Sequence, residues 1–154
     1  ILGLENHREL FGFIYLLEFE DNKKYIGKKN FYFFRQLPSL KSGLPREGHI
    51  KFFNRLVNHH RKEHELFRVE SDWLEYQGSS NWTKQNQVVK KEILEVTKSK
   101  RYLTYLEAKY LFANSAIESS DFINDNILGL FFRKTILESE NWDDILKDQE
   151  HDQQ

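Results

Sequence analysis

The sequence predicts an α+β domain, and three observations carry that prediction. Two short apolar runs, Gly12 to Glu20 and Lys24 to Gly27, flank the turn pair Asp21-Asn22 and read as an antiparallel hairpin. A later stretch, Val88 to Val96, mixes β-branched residues with charges and reads as a third strand. Helical spacing appears in Leu103 to Ala113, and again in His49 to Phe67, where Ile50, Phe53, Leu56 and Val57 recur. The order hairpin, helix, strand, helix points to α+β.

The remaining segments follow in turn. Asn30 to Gln36 is expected to open a short helix. "LPSLKSGLPREG", Leu37 to Gly48, holds both prolines and is a loop. His49 to Phe67 is expected to be a basic amphipathic helix. Glu70 to Trp73 starts a helix or a turn, and Tyr76 to Trp82 is a loop with a serine-based helix cap. Asp121 to Asn126 is a loop before an apolar segment that ends at Leu137, and the tail after Trp142 reads as frayed.

A chain of 154 residues fits one domain with a core of its own. With 39% hydrophobic and 31% charged residues it has the composition of a soluble globular protein. It has no cysteine, which excludes disulfides, zinc ribbons and thiol nucleophiles and fits a reducing cytoplasm. No apolar run is long enough to span a bilayer and no signal peptide is visible, so no membrane partner is expected. The net charge of −1 hides an uneven distribution. Between Lys23 and Arg68 there are 12 Lys/Arg against 3 Asp/Glu, and four of the six histidines. Glu138 to Gln154 carries 7 acids and one lysine. A basic half beside an acidic half suggests a face for a polyanion, most often nucleic acid.

The chemistry-bearing residues gather in the hairpin. Tyr15 and Tyr25 stand ten residues apart, followed by Lys28, Lys29 and Arg35. Phenols beside cations suit phosphoryl chemistry: the cations hold phosphate oxygens and are expected to lower a tyrosine's pKa. A planar guanidinium such as that of Arg35 fits non-bridging oxygens. A carboxylate is supplied by Glu107, which shares one helical stripe with Leu103 and Leu111. A carboxylate on an apolar stripe needs a partner, and a hard divalent cation with one carboxylate and several waters is one such partner.

These residues resemble a known family. "GFIY" (Gly12 to Tyr15) and "YIG" (Tyr25 to Gly27) are similar to the two motifs of the GIY-YIG nucleases, the first in its looser form. Arg35, ten residues after Tyr25, stands where that family has its helix arginine. Glu107 falls on the helix of its single metal-binding glutamate, and Asn124 matches an asparagine beyond it. "LPSLKSG", "VESDWLEYQGSS", "KKEILEVTKSK" and "YLEAKYLF" are similar to segments of small phage-encoded members. The resemblance covers about Phe11 to Leu130.

The resemblance implies a small three-stranded antiparallel sheet flanked by helices, and one-metal hydrolysis of a phosphodiester with Mg²⁺ or Mn²⁺. By position, Tyr15 is then the general base or water-orienting phenol, and Tyr25 binds water or phosphate. Lys28 and Arg35 neutralise charge, and Glu107 binds the metal. The expected organisation is a nuclease domain over 8–137 with a basic helical insertion at about 48–67, then an acidic tail over 138–154. Lys29, Lys51, Arg55, Arg61, Lys62, Tyr76, Ser79 and Asn124 are candidate contacts to DNA, most often double-stranded. Long-site specificity would need a homodimer, a partner or a further segment.

Two departures stand out. The histidine that many members of the family carry between the arginine and the third strand is missing, so either Tyr76 or Ser79 replaces it or the role is absent. The insertion also contains "HRKEH", His60 to His64, a pattern of inverted zinc peptidases with no third ligand in view. The alternative to an enzyme is a nucleic-acid-binding or adaptor protein that kept the fold without the activity.

Overall fold

The computed structural model describes residues 4–78 and 81–139. The elements run as a 3₁₀ turn (Leu4–Glu9), β1 (Gly12–Phe19), β2 (Lys24–Asn30), β3 (Tyr32–Pro38), β4 (His49–Val57), β5 (His60–Glu70), α1 (Asn81–Gln85), β6 (Val88–Thr97), α2 (Lys100–Ala113), β7 (Asn126–Ile127), β8 (Phe131–Phe132) and α3 (Arg133–Glu138). The α+β class and the expected three-stranded antiparallel sheet are both present. That sheet has the order β2-β1-β6.

β1 is the central strand, and its period-2 alternation divides the core in two. Ile14 faces α2 and packs with Ile26, Leu103, Leu106 and Leu111. Phe13, Tyr15, Leu17 and Phe19 face the other way, into an aromatic cluster with Phe31 and Trp73. Burial on both faces explains why β1 is apolar nearly throughout. α2 starts at Ser99, whose side chain accepts from the Tyr102 N–H, and ends at Asn114. Gly12 lets α2 approach: a Cβ there would lie 2.6 Å from Leu103 Cδ2 and from the Lys29 carbonyl oxygen.

The expected basic helix is instead a β-hairpin. β4 and β5 pair antiparallel, and β3 adds to the other side of β5, giving a second sheet of order β3-β5-β4. The helical spacing of Ile50, Phe53, Leu56 and Val57 coincides with a strand-compatible run rich in aromatic and β-branched residues. Asn58 and His59, with φ of 49° and 67°, form the two-residue turn that closes such a hairpin. β3 replaces the short helix expected over Asn30 to Gln36. Phe31 is buried in the aromatic cluster, and the run Tyr32-Phe33-Phe34 has strong β propensity. The loop after β3 folds back onto the sheet. Arg46 donates its backbone N–H at 2.6 Å and its guanidinium to the carboxylate of Glu65, which is fully buried.

The outer edge of β2 is closed without another full strand. Lys24 exchanges backbone hydrogen bonds with Asp121 and Ile123. One residue pair further on, the Asn124 amide takes over: its oxygen accepts from the Ile26 N–H at 3.1 Å and its nitrogen donates to the Ile26 carbonyl at 2.8 Å. The sequence places Asn124 among the contacts to nucleic acid, but both ends of its buried side chain are committed to β2. The Arg133 guanidinium holds this segment in place by donating to the carbonyls of Ala116, Ser119, Phe122 and Asn124. Asn124→Leu is expected to cost about 2–4 kcal/mol in a denaturant titration, because two buried backbone groups lose partners at ~1–3 kcal/mol each.

Candidate active site

The site wraps around the edge of β2 at Gly27. Tyr15 pairs with Gly27 across the β1–β2 ladder, so both lie on the aromatic face of the sheet. The Tyr15 ring occupies the space that a side chain at 27 would need: a Cβ there would lie 2.6 Å from Tyr15 Cζ and run into its hydroxyl. Gly27→Ala is therefore expected to push Tyr15 out of place. It should cost about 1–3 kcal/mol as an overpacking change, read by thermal melts.

Three phenols meet here. The Tyr15 and Tyr25 ring centroids are 6.2 Å apart, and Tyr76 packs edge-on to Tyr15 at 6.0 Å. Tyr76 comes from the turn after β5, which two lysines hold. Lys29 Nζ pairs with Asp72 at 2.6 Å and lies 3.8 Å over the Tyr76 ring. Lys91 Nζ, from β6, donates to the carbonyls of Trp73 and Tyr76 at 2.8 and 2.7 Å. Lys29 is thus committed to building the site, where the sequence suggests a direct grip on nucleic acid.

On the α2 side of the same edge lies a cleft of about 530 Å³, lined by Tyr25, Lys28, Thr104, Glu107, Asn124 and Asp125 among others. Glu107 reaches the β2 edge from α2 and stands beside the Lys28 backbone. Lys28 Nζ turns to Thr104 Oγ1 at 2.9 Å. Burial pushes the Glu107 carboxyl above the usual carboxylate range, and the Lys28 charge only partly offsets it.

The expected lowering of a tyrosine pKa is reversed. Burial raises the Tyr15 phenol well above the ordinary phenol range, and Tyr25, Tyr76 and Glu107 add to the shift. Tyr25 is pushed up to about 12 by burial, with Glu107 contributing. Lys28 pairs with Ile14 across the ladder, so it leaves the sheet on the face opposite Tyr15. Arg35 sits at an exposed position of β3, opposite Phe67, and does not line the cleft. Of the three phenols Tyr25 lines the cleft, while Tyr15 is buried behind it and neither Tyr15 nor Tyr76 is among the lining residues.

The other expected contacts divide as follows. Lys51, Arg55 and Lys62 share one face of the β3-β5-β4 sheet, and Arg61 lies on the other. Ser79 falls outside the described residues. His64, half of the "HRKEH" pattern, is buried against Phe53 with its ring nitrogen on the Lys62 carbonyl. Sequence reasoning passes over Lys91, Asp72, Thr104 and Asp125. The available signal is Lys91, a lysine at a core-facing position of a predicted strand.

Among the described residues no three His, Cys, Asp or Glu cluster as a complete protein cage for a metal. A hard cation that keeps its waters does not need one. The cleft offers carboxylate, hydroxyl and carboxamide oxygens, with Lys28 as the cation among its lining residues, and Glu107 forms no ion pair with the described residues. This oxygen-rich donor set fits a divalent ion held through Glu107.

The family model described as "Putative endonuclease segE, GIY-YIG domain" matches residues 4–127. No curated protein and no solved structure matches the chain. The match takes in the central sheet, the second sheet, α2 and all but Leu128 and Gly129 of the cleft lining, and the chain belongs to the GIY-YIG endonuclease-domain family in the form that this model describes.

Proposed function

We propose that this chain is a metal-dependent DNA endonuclease that hydrolyses phosphodiester bonds at the β2 edge. One observation carries the reading: Tyr15, Tyr25 and Glu107, distant in sequence, converge around Gly27 in a domain whose family is one of endonucleases. Glu107 would hold one Mg²⁺ or Mn²⁺, which supplies Lewis-acid stabilisation of charge at phosphorus. Tyr15 and Tyr25, kept neutral by burial, donate hydrogen bonds that orient water and phosphate oxygens. Tyr76 fills the place of the family's histidine, and Lys29 and Lys91 hold it against Tyr15. Lys28 stands exposed at the cleft and neutralises backbone charge.

Nicking of supercoiled plasmid with Mg²⁺, absent in EDTA, is the test. The exposed position of Arg35, away from the cleft, favours a second reading in which the domain binds DNA without cutting it. Retained binding with no nicking under any divalent cation would establish that reading instead. Among the described residues, no helix is long and apolar enough to cross a membrane.

A further inference from the structure

The β4–β5 hairpin outruns the strand beside it. β3 pairs with β5 only from His64 to Glu70. The pairs Asn54–Glu63, Arg55–Lys62, Leu56–Arg61 and Val57–His60 therefore stand beyond the sheet as a two-stranded ribbon. Of its residues, all but Val57 are exposed. A ribbon this short has no core of its own.

Its charges work against the folded state. Arg55 and Lys62 are direct cross-strand partners on one face, and like charges so placed repel. Arg61 lies on the opposite face beside Leu56, which is 63% exposed. None of the three cations is ion-paired with a carboxylate among the described residues. Arg55 reaches only the Gln36 amide oxygen, at 3.4 Å. Glu63 is the ribbon's single acid.

Cations on both faces of a thin blade match a partner with negative charge on two facing walls. A single strand or a flat anionic surface would engage one face. The major groove of B-form DNA has phosphates along both rims, is about 12 Å wide and admits a two-stranded β-ribbon. The major groove of A-form RNA is too deep and narrow for side chains to read.

We propose that ribbon 54–63 enters the major groove of duplex DNA, with Arg55 and Lys62 meeting phosphates along one rim and Arg61 those along the other. The assignment rests on the reading of DNA as substrate, but it concerns binding and not the chemistry at Glu107.

The test is binding in EDTA, where cleavage does not enter. Anisotropy titrations would compare a duplex of about 30 base pairs, roughly three turns, with one of its single strands and with an RNA duplex of the same length. Three variants are needed: Arg55→Ala with Lys62→Ala, Arg61→Ala, and a chain in which Asn-Gly joins Phe53 directly to His64. Each should weaken duplex binding and flatten the slope of log affinity against log salt, by about 0.9 for every phosphate no longer neutralised. The paired Arg55/Lys62 variant should melt no lower than wild type, since it removes a repulsion. Wild type should protect guanine N7 from dimethyl sulfate, and the ribbonless chain should not. An unchanged salt slope, equal losses on duplex and single strand, unprotected N7, or tighter binding to the RNA duplex would each overturn the assignment. Absence of nicking with these binding results intact overturns the nuclease reading alone. Nicking with unaltered binding by the ribbon variants overturns the ribbon assignment alone.

Discussion

Glu107→Gln is expected to lower Mg²⁺-dependent nicking by about a hundredfold or more and, in the same protein, to raise the melting temperature at neutral pH when no divalent ion is present. The first effect follows from charge: the amide keeps the shape but loses the negative charge a hard cation needs. A hundredfold corresponds to ~2.7 kcal/mol, within what metal stabilisation of a transition state supplies. The second follows from desolvation, which raises the carboxyl above its ordinary 4.5. A carboxyl with a raised folded-state pKa binds its proton more tightly when folded. Its penalty is absent below the unfolded pKa, grows as pH rises toward the folded pKa, and is complete above it. Gln carries no such penalty. The melting advantage should therefore be largest near neutral pH and shrink toward pH ~4. Near wild-type nicking by this variant would remove Glu107 from the site. Lower stability at neutral pH would show that its charge is already satisfied within the protein.

Tyr15→Phe should cut single-turnover cleavage by about a hundredfold to a thousandfold, the range for losing one preorganised hydrogen-bond donor. The ring stays in the aromatic cluster and only the hydroxyl is removed, so stability should fall by no more than ~1 kcal/mol. The pH profile separates this role from that of a base. Burial holds the Tyr15 phenol well above its ordinary range, and Tyr25 is pushed up to about 12. Neither ionises at neutral pH. Any rise of rate with pH should therefore persist in Tyr15→Phe at a lower plateau, and Lys28→Ala should leave its midpoint in place. A rise present in wild type and missing in Tyr15→Phe would make Tyr15 the base after all.

The hairpin, third strand and long helix are legible in the sequence because short-range rules decide them. A turn pair sits between two apolar runs, and α2 has a serine cap and a clean stripe. The β3-β5-β4 sheet is not legible. Its stability comes from pairing residues far apart in sequence, such as Tyr32 with Glu70, while Ile50, Phe53, Leu56 and Val57 match the helical period by coincidence. Arg35 is misplaced with it, since its expected helix is a strand. The candidate site residues Tyr15, Tyr25 and Glu107 are readable by type and order. Their electrostatics need the third dimension, because adjacency of Tyr15 and Lys28 across the turn conceals opposite faces of one sheet. The roles of Asn124 and Lys91 depend on which carbonyls they meet, and residue identity does not carry that information.

The closed edge of β2 has a further consequence. An edge strand with free N–H and C=O groups is a template on which another polypeptide can add. Here the Ile26 groups on that edge are taken by the Asn124 amide, the same side chain that lines the candidate cleft. Asn124 thus guards the edge against self-assembly while shaping the cleft beside it. Truncating it to alanine would expose a β edge on which another chain could add.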